Sequence, residues 1–443
     1  MGRDCRVRFD KEAFPLVSAN HHNENTTVSH DAFYYGWVIV AVCTILMVMQ
    51  AGIMYSYGVF FKHLVANFGR SRAVTSGVHS LFMITHGGMA IAMGWLVDRF
   101  GPAKVMVFCS FIVGLGLVLT SQVNALWQLY VTYGLILGIG MSALFTTSTA
   151  TTARWFTERR GLALGIVTSG VGLGTFLVPV VERLIATFGW SMAYFVLGVA
   201  AWAVMIPGAL FLRRAPGEKQ RRAYGGDESI PPPDISHEAG TGSVSAETGI
   251  TMKAAARYKP LWMLFSVYFL FNFCLQMVMI HLVNYATDIG IASLIAATFI
   301  SIIGVGSFLG RLIMGTASDR IGSHNALLIC CIILMITLVF LVFTKELWMF
   351  YLFAAIFGLA YGGEVPQMAV LVGHFFGLRA VAALVGVVVF GATIGGAIGA
   401  WVGGQVFDVT QSYQLAFTIA ATVSLLAVII TLMLKKAKAV IPG

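Results

Sequence analysis

The sequence predicts an all-α membrane protein in which twelve transmembrane helices form two six-helix, pseudo-symmetric halves. Its composition is the first reason: hydrophobic residues make up 58% of the 443 residues and charged residues only 11%, with a mean hydropathy of +0.84. A soluble domain carries about 25% charged residues. The second reason is a short pattern that occurs twice, once in each predicted half.

Twelve apolar runs are each long enough for a helix to cross a bilayer, which takes about 20 residues. The runs are continuously apolar, which excludes the alternating strands of a membrane barrel. The first six lie near 37–61, 74–97, 103–121, 127–151, 162–186 and 190–212. The second six lie near 261–286, 291–316, 324–343, 347–374, 380–406 and 412–434.

Basic residues predict the orientation, because cytoplasmic segments of membrane proteins are enriched in Lys and Arg. With both termini in the cytoplasm, inner segments hold 22 of the 28 Lys and Arg. We therefore expect a multi-pass protein of a cell's inner or plasma membrane that contacts the lipid bilayer and needs no nucleic-acid partner. The predicted regions are an amino-terminal tail (1–32), a first half (33–212), a cytoplasmic linker (213–260), a second half (261–434) and a carboxy-terminal tail (435–443).

Motifs for catalysis are missing from the sequence. Five of the six cysteines lie inside predicted spans, so no disulfide framework is indicated. The sequence contains no cluster with metal-ligand spacing, no phosphate-binding loop after a strand and no nucleophile triad. We expect no cofactor, no metal and no enzymatic activity.

The repeated pattern lies in short turns after the second and eighth spans, and we call its two copies the repeated turns. They are Gly94-Trp-Leu-Val-Asp98-Arg99-Phe-Gly101 and, 221 residues later, Gly315-Thr-Ala-Ser-Asp319-Arg320-Ile-Gly322. We expect the first glycine of each copy to let helices approach closely. The four charged residues are candidates for a gate that latches the cytoplasmic side, and the alternative is that they only set topology and form turns.

The repeated turns resemble the signature of the major facilitator superfamily, and the resemblance covers residues 33–435. The turn after the fourth span, Trp155-Phe156-Thr-Glu-Arg159-Arg160-Gly-Leu162-Ala163-Leu-Gly165, is similar to the fifth-span region of monocarboxylate transporters. Bacterial oxalate–formate antiporters share much of this region. The resemblance implies the major facilitator fold and secondary transport of a small carboxylate.

Arg311 is the most informative ionisable residue inside a span. A charge at this depth costs roughly 2.5–3.5 kcal/mol on insertion scales, so it normally faces a cavity or a partner. Its guanidinium matches a carboxylate, and Ser307 lies one turn earlier on the same face. The substrate-binding arginine of monocarboxylate transporters aligns with Arg311. The alternatives are that Arg311 extends to the cytoplasmic surface or pairs with Asp319.

The chain departs from the monocarboxylate pattern at two positions. Ser307 stands where the family has an aspartate, and Tyr55 stands where many members have a lysine. Another group must therefore carry a proton, and Glu364 in the tenth span is the first candidate. The alternative is a fixed counter-ion to Arg311. Tyr361, one turn before Glu364, is predicted to line the substrate cavity.

Pro366 follows Glu364 and cannot donate a hydrogen bond to the carbonyl of Gly362, so the tenth helix is expected to kink or open there.

His281 in the seventh span is the second candidate proton carrier, since imidazole has an unperturbed pKa of about 6.5. Gln276 and Asn272 on the same span are candidate substrate-binding residues. They lie about 140° and 180° around an unbroken helix from His281, so the three cannot line one cavity. The alternative for His281 is a hydrogen-bonded histidine at the outer rim.

The sequence thus predicts a monomeric transporter that couples a small carboxylate to a proton by alternating access, with Arg311, Tyr361, Ser307 and Tyr55 at the substrate. One alternative is carboxylate exchange of the oxalate–formate type, although no lysine stands in the eleventh span. Another is efflux of drugs or cations attracted by Glu364.

Overall fold

The structure is a computed structural model that describes residues 35–156, 160–213, 252–377 and 381–435. The predicted tail at 1–32, most of the linker at 213–260 and all but the first residue of the tail at 435–443 lie outside the described residues. Division of the chain into these regions therefore stays a prediction.

Six helices form the first half, and we number them in chain order. They are α1 (Tyr35–Phe68), α2 (Arg72–Phe100), α3 (Pro102–Ser121), α4 (Leu126–Trp155), α5 (Arg160–Gly174) and α6 (Leu177–Leu210). α4 is a nearly continuous run that includes a π-helical segment, Tyr130–Leu137. α6 is broken at Gly189, so its first part completes the fifth crossing of the membrane and its second part makes the sixth.

Six further helices form the second half, after a short helix at Met252–Ala255. They are α7 (Lys259–Asp288), α8 (Ser293–Ile321), α9 (Ser323–Val342), α10 (Leu347–Phe376), α11 (Val381–Thr410) and α12 (Tyr413–Leu434). Among the described residues, ten helical runs are long and apolar enough to cross a membrane. One of them, Leu162–Leu210, contains two crossings, and the more polar α2 completes the predicted twelve.

The helix bounds confirm the internal repeat. Arg72 to Ser293 and Phe100 to Ile321 are both steps of 221 residues, so α2 and α8 begin and end at equivalent positions. The same step relates both ends of α3 to those of α9, and both ends of α4 to those of α10. Each half is therefore a version of one six-helix unit.

The repeated turns depend on their last glycines rather than their first. Gly101 and Gly322 have φ angles of 88° and 83°, a region that disfavours side chains, and each ends one helix where the next begins. The expectation that Gly94 and Gly315 bring helices together is wrong for this conformation. A Cβ atom built at either position would have no contact within 4 Å.

Several helix pairs join the two halves, and we call two of them the seams: α2 with α11, and α5 with α8. In the first seam the Ser80 hydroxyl donates to the Ala397 carbonyl oxygen at 2.6 Å. In the second, the Ser301 hydroxyl donates to the Thr175 carbonyl oxygen at 3.1 Å. The seams bring polar residues of both halves together inside the bundle.

Large apolar side chains cover the outside of the bundle. Phe108, Phe111, Leu210, Ile336 and Phe343 are each roughly half exposed or more. Exposed apolar surface of this extent on a soluble protein would drive association. Here it provides a surface suited to lipid.

Candidate functional site

Arg311 lies in α8 and reaches across the second seam. Its Nη1 donates a hydrogen bond to the backbone carbonyl oxygen of Thr168 on α5, in the other half. The side chain is partly buried, and its Nε is a buried donor without a hydrogen-bond partner among the described residues. The guanidinium therefore bridges the two halves and does not extend to the membrane surface.

Two tyrosines join the halves close to Arg311. The hydroxyl oxygens of Tyr55 on α1 and Tyr361 on α10 are 2.7 Å apart, and both residues are buried. Arg311 and Glu364 lie close enough to Tyr55 to act on it electrostatically. The structure thus brings together four of the predicted site residues, and we call Arg311, Tyr55, Tyr361 and Glu364 the arginine site.

Glu364 is buried inside the second half, with 2% of its surface exposed. Its Oε1 has no hydrogen-bond partner in the part of the chain that the structure describes. Arg311 is near enough to interact with the carboxyl electrostatically. Both side chains belong to the described part of the chain, and they form no salt bridge with each other. A direct, fixed ion pair of Glu364 with Arg311 is therefore not present in this conformation.

Of the two outcomes expected at Pro366, a kink or an opening of α10, the opening is not present. The helix continues from Leu347 to Phe376 with the proline inside it. The Gln367 amide next to it donates to the carbonyl oxygens of Met314 at 3.1 Å and Gly363 at 3.3 Å. Contacts with α8 thus hold the helix on both sides of the proline.

Ser307 lies where α8 and α10 are closest. Gly362 faces its backbone so tightly that an added Cβ would overlap the Ser307 carbonyl group. The Ser307 hydroxyl is fully buried, and no described residue forms a hydrogen bond with it. It is therefore a free polar group one turn from Arg311.

The three polar candidates on α7 lie in separate environments. His281 is fully buried, with Nδ1 3.2 Å from the Tyr413 hydroxyl and Nε2 2.9 Å from the Ala400 carbonyl oxygen. The Asn272 amide donates to the Tyr268 carbonyl oxygen of its own helix at 3.3 Å. Gln276 faces α2 instead, beside His79. The contacts of His281 match the alternative of a hydrogen-bonded histidine.

The charged residues of the repeated turns are only partly described. Arg99 is exposed, and its guanidinium carbon lies 5.3 Å from the centre of the Trp95 ring and 5.5 Å from that of Phe100. Arg320 is exposed. The side chains of Asp98 and Asp319 lie outside the described set, so the gate at these turns stays a prediction.

At the opposite end of the bundle, a polar network that the sequence did not predict joins the halves, and we call it the lock. The Arg72 guanidinium donates to the two Asp288 carboxylate oxygens at 2.8 and 3.1 Å and to the Tyr413 hydroxyl at 2.6 Å. The backbone N–H groups of Arg72 and Ala73, at the start of α2, donate to the Asp408 carboxylate at 2.8 and 2.7 Å. The lock thus ties α2 to α7, α11 and α12.

The lock also has an aromatic part. The Arg72 guanidinium carbon lies 3.7 Å from the centre of the Phe407 ring, a cation–π distance. Tyr413 contacts both Arg72 and His281. A sequence signal existed for the lock, since Arg72, Asp288 and Asp408 all stand at helix ends next to predicted outer loops.

Two histidines of α2 were also missed. His79 and His86 are seven residues apart and therefore lie on one helix face. Their spacing inside an apolar span was the signal that could have found them.

The described residues form two repeated six-helix halves with polar groups between them and an apolar exterior, an architecture typical of membrane transporters. The family model of the Major Facilitator Superfamily matches residues 40–347 and 285–441. The chain belongs to the major facilitator superfamily.

Relatives within this family carry transporter names. The chain is 26% identical over 408 residues to monocarboxylate transporter 12-B of Danio rerio, covering 86% of this chain and 83% of the relative. It is 27% identical over 399 residues to monocarboxylate transporter 12 of Xenopus laevis, covering 86% and 85%. To monocarboxylate transporter 13 of Rattus norvegicus it is 24% identical over 390 residues, covering 87% and 86%.

Solved structures share the fold. A bacterial homolog of the human lysosomal transporter Spinster, in an inward-facing and unoccupied conformation, superposes with a TM-score of 0.71 at 13% identity, covering 91% of this chain and 98% of that one. The nucleoside transporter NupG superposes with a TM-score of 0.68 at 16% identity, covering 92% and 100%.

The family and the named relatives together show that the chain is a multi-pass membrane transporter for a small molecule and not an enzyme.

Proposed function

We propose that the protein carries a small monocarboxylate together with a proton, by alternating access between its two halves, with Arg311 as the residue that binds the carboxylate. The observation that carries the proposal is the position of Arg311 between the halves, with Nε buried and unpartnered. The similarity to proteins named monocarboxylate transporters supports the same substrate class.

Binding at Arg311 would change the contact between the halves. Its present acceptor is a neutral carbonyl, that of Thr168. The present bond has one ionised partner, whereas a bond from the guanidinium to a carboxylate has two, and a carboxylate can accept two parallel bonds from one guanidinium. A substrate carboxylate would therefore compete with Thr168 and weaken the tie between α8 and α5. Such differential binding is what a ligand needs to shift a conformational equilibrium.

Neutral groups around Arg311 would complete the substrate site. Tyr55 and Tyr361 each carry a hydroxyl that can turn from its partner to a ligand. Ser307 offers a buried hydroxyl that has no partner. Gln276 and Asn272 stay candidates for contacts further along α7.

Glu364 is the proposed proton carrier. A buried carboxyl with an unpartnered oxygen is expensive to keep charged, and protonation removes that cost. His281 is the second candidate, and its bond to Tyr413 would connect a change of its protonation to the lock.

We further propose that the protein is a monomer of the inner or plasma membrane with both termini in the cytoplasm. The distribution of basic residues supports this orientation.

The direct test of substrate binding is Arg311→Lys. We expect uptake of labelled lactate or pyruvate into proteoliposomes to fall at least about tenfold, equivalent to about 1.4 kcal/mol, because lysine keeps the charge but loses the planar fork. Arg183→Lys, at an exposed arginine of α6, is the matched control. Normal uptake by the Arg311 variant would remove Arg311 from the substrate site.

Proton coupling is tested by Glu364→Gln, which cannot exchange a proton. We expect carboxylate exchange to continue without pH dependence, while uptake driven by an inward proton gradient is lost. Glu346→Gln, at the exposed first residue before α10, controls for a charge change near the same helix. Unchanged pH dependence in the Glu364 variant would transfer the proton role to another group.

Transport assays in the same proteoliposomes distinguish proton-coupled uptake from the two alternative functions, carboxylate exchange and efflux. Uptake that requires an internal carboxylate and ignores the proton gradient would identify an exchanger. Transport of cationic drugs that depends on Glu364 and survives Arg311→Lys would identify efflux instead.

A further inference from the structure

A groove runs along the outside of the second half, between α7 and α12, at the end of the bundle that carries the repeated turns. It has two adjoining parts of about 410 and 420 Å³, which share Ser266 of α7 and Ile430 of α12. We call it the α7–α12 groove. Its deep part lies further into the membrane, and its end part lies at the start of α7 and the end of α12.

The deep part is almost entirely apolar. The residues that line it are Phe265, Ser266, Phe269, Leu270, Leu426 and Ile430. The Ser266 hydroxyl donates to the Trp262 carbonyl oxygen of its own helix at 2.8 Å, so no lining side chain offers a free polar group to a ligand.

The length of the deep part matches one leaflet of a bilayer. Leu270 lies eleven residues after Lys259 on α7, which corresponds to about 16 Å at the helical rise of about 1.5 Å per residue. The hydrocarbon core of a bilayer is about 30 Å thick, so one leaflet contributes about 15 Å. The deep part therefore has the length and the chemistry for an acyl chain.

The end part carries positive charge. Arg257 and Lys259 line it, and both residues are exposed. Within the described part of the chain, neither forms a salt bridge. The Trp262 indole also lines this part and donates from Nε1 to the Ala256 carbonyl oxygen at 2.8 Å, which holds the segment with Arg257 against α7. Tryptophan is enriched where a membrane helix meets the headgroups.

The corresponding helices of the first half are joined differently. At the same end of the bundle, the Tyr35 hydroxyl on α1 donates to the Phe211 carbonyl oxygen after α6 at 2.7 Å. The guanidinium carbon of Arg213 lies 4.3 Å from the centre of the Tyr35 ring. The basic residue of the first half thus has a partner within the protein, whereas Arg257 and Lys259 face a groove.

We propose that the α7–α12 groove binds an anionic phospholipid, with the phosphate at Arg257 and Lys259 and one acyl chain along the deep part. Basic residues at headgroup depth attract anionic lipids, and in the proposed orientation this end lies in the cytoplasmic leaflet, where the surface potential is negative. A soluble anion would leave the deep part empty, and an uncharged lipid would leave the two basic residues without a counter-charge. The inference does not depend on which substrate is transported.

The bound lipid would contact two helices that the lock joins at their other ends. Asp288 is the last residue of α7 and Tyr413 the first residue of α12, and Arg72 donates to both. The lipid would therefore join α7 and α12 at the end where the halves are otherwise not held by the lock.

The test is native mass spectrometry of the purified full-length protein, titrated with phosphatidylglycerol or with phosphatidylcholine of the same acyl chains. We expect the first phosphatidylglycerol to bind about tenfold more tightly than the first phosphatidylcholine, because only its headgroup has a net negative charge. Glycerol phosphate should bind at least about tenfold more weakly than phosphatidylglycerol, because it has no chain to bury. Equal binding of glycerol phosphate would identify a site for soluble anions and overturn the inference.

Removal of the charge locates the headgroup. The double variant Arg257→Gln and Lys259→Gln should reduce the preference for phosphatidylglycerol to less than about twofold, while binding of phosphatidylcholine is unchanged. The matched control is Lys104→Gln with Lys435→Gln, since both lysines are exposed at the same end of the bundle and do not line the groove. A preference that survives in the groove variant, or that is lost equally in the control, would overturn the inference.

Filling the groove locates the acyl chain. Ser266→Phe places a ring at the residue that both parts share, and we expect it to weaken phosphatidylglycerol binding at least about tenfold although both basic residues remain. Leu426→Trp, on the opposite wall, should do the same and covers the case in which Ser266→Phe does not fold. Full lipid binding by a folded filled-groove variant would contradict the inference. So would a protein dimer that Ser266→Phe dissociates, because a second copy would then cover the groove.

Discussion

The two ends of the seams are held differently, and the first seam makes the comparison clear. At the lock, α2 and α11 are joined by charge, since Asp408 accepts from two N–H groups at the start of α2. Halfway along, the helices are joined by shape, because Gly87 faces Thr393 so closely that a Cβ atom would lie 2.4 Å from it. Seven residues further, at the end that carries the repeated turns, a Cβ atom on either Gly94 or Gly386 would contact none of the described residues within 4 Å.

The second seam follows the same order. Gly172 and Gly304 pack against each other, with a Cβ on Gly172 only 2.8 Å from the Gly304 carbonyl oxygen. Gly165 and Gly315 lie about two and three turns away on the same faces of α5 and α8. A Cβ atom at either would contact nothing within 4 Å.

This difference indicates that the halves are together at the lock and apart near the repeated turns. The end at the lock is closed by specific charged contacts. The end near the repeated turns has small residues on all four seam helices, and such a surface permits close packing once the halves approach there. The conformation thus corresponds to one stage of an alternating-access cycle.

The largest effect on this comparison is expected from Arg72→Ala. The change removes the guanidinium from Asp288, Tyr413 and Phe407 at once, and leaves the partly buried Asp288 without its partner. A loss of about 1.4 kcal/mol already changes the ratio of two conformations tenfold. Electron–electron distance measurements between spin labels at Arg70 and Gln411 should show a second, longer population.

Lys62→Ala, at an exposed residue of α1, is the control for loss of a basic residue at the same end of the bundle. A distance distribution that is identical in the Arg72 variant and the wild type would mean that the lock does not hold the halves together.

A smaller effect is expected from Asp408→Asn. The two carboxylate oxygens each accept from one N–H group of α2, so an amide keeps one of these hydrogen bonds, places its NH2 group against the other N–H and loses the charge opposite the positive helix end. Such a charge contributes about 0.3–1 kcal/mol, and up to ~2 kcal/mol when partly buried. The same labels should report a partial shift, between those of the wild type and Arg72→Ala. A shift larger than that of Arg72→Ala would make Asp408 the principal contact of the lock.

The smallest effect on this conformation is expected from Gly386→Leu, because the added side chain has free space. Folding, measured by thermal unfolding, and the label distances at the lock should stay unchanged. Lactate uptake should fall severalfold if the halves close here during the cycle, since the leucine would stand between α11 and α2. Full uptake would show that this part of the seam does not close.

The sequence predicted the architecture well because membrane helices are defined by local composition and the repeat is visible as a fixed spacing. The step of 221 residues found in the repeated turns is the step that relates α2 to α8 and α3 to α9. The sequence also singled out Arg311, Glu364, Tyr55 and Tyr361, which the fold brings together, because a polar residue in an apolar run is conspicuous.

Contacts between the two halves could not be predicted from local composition or from the spacing of residues. Asp408 lies 336 residues from Arg72 along the chain, and before folding it resembles any other acid at a helix end. His79 lies beside Gln276 of the other half only in the folded protein, which no spacing reveals. Gly94 was expected at a close helix contact. The sequence cannot show in which conformation of the protein a small residue lies at such a contact. Pro366 was expected to kink or open α10, but the helix continues through the proline and packs against α8.

Gly189 has a consequence for how the first half moves. This single residue, with φ 81° and ψ 164°, is the whole connection between the fifth and sixth crossings. Because a one-residue connection limits the relative motion of the helices that it joins, we expect these two crossings to move together. An epitope inserted at Gly189 would lengthen this connection and let the fifth and sixth crossings move relative to each other. The same insertion in a longer connection would change the relative motion of its two helices less.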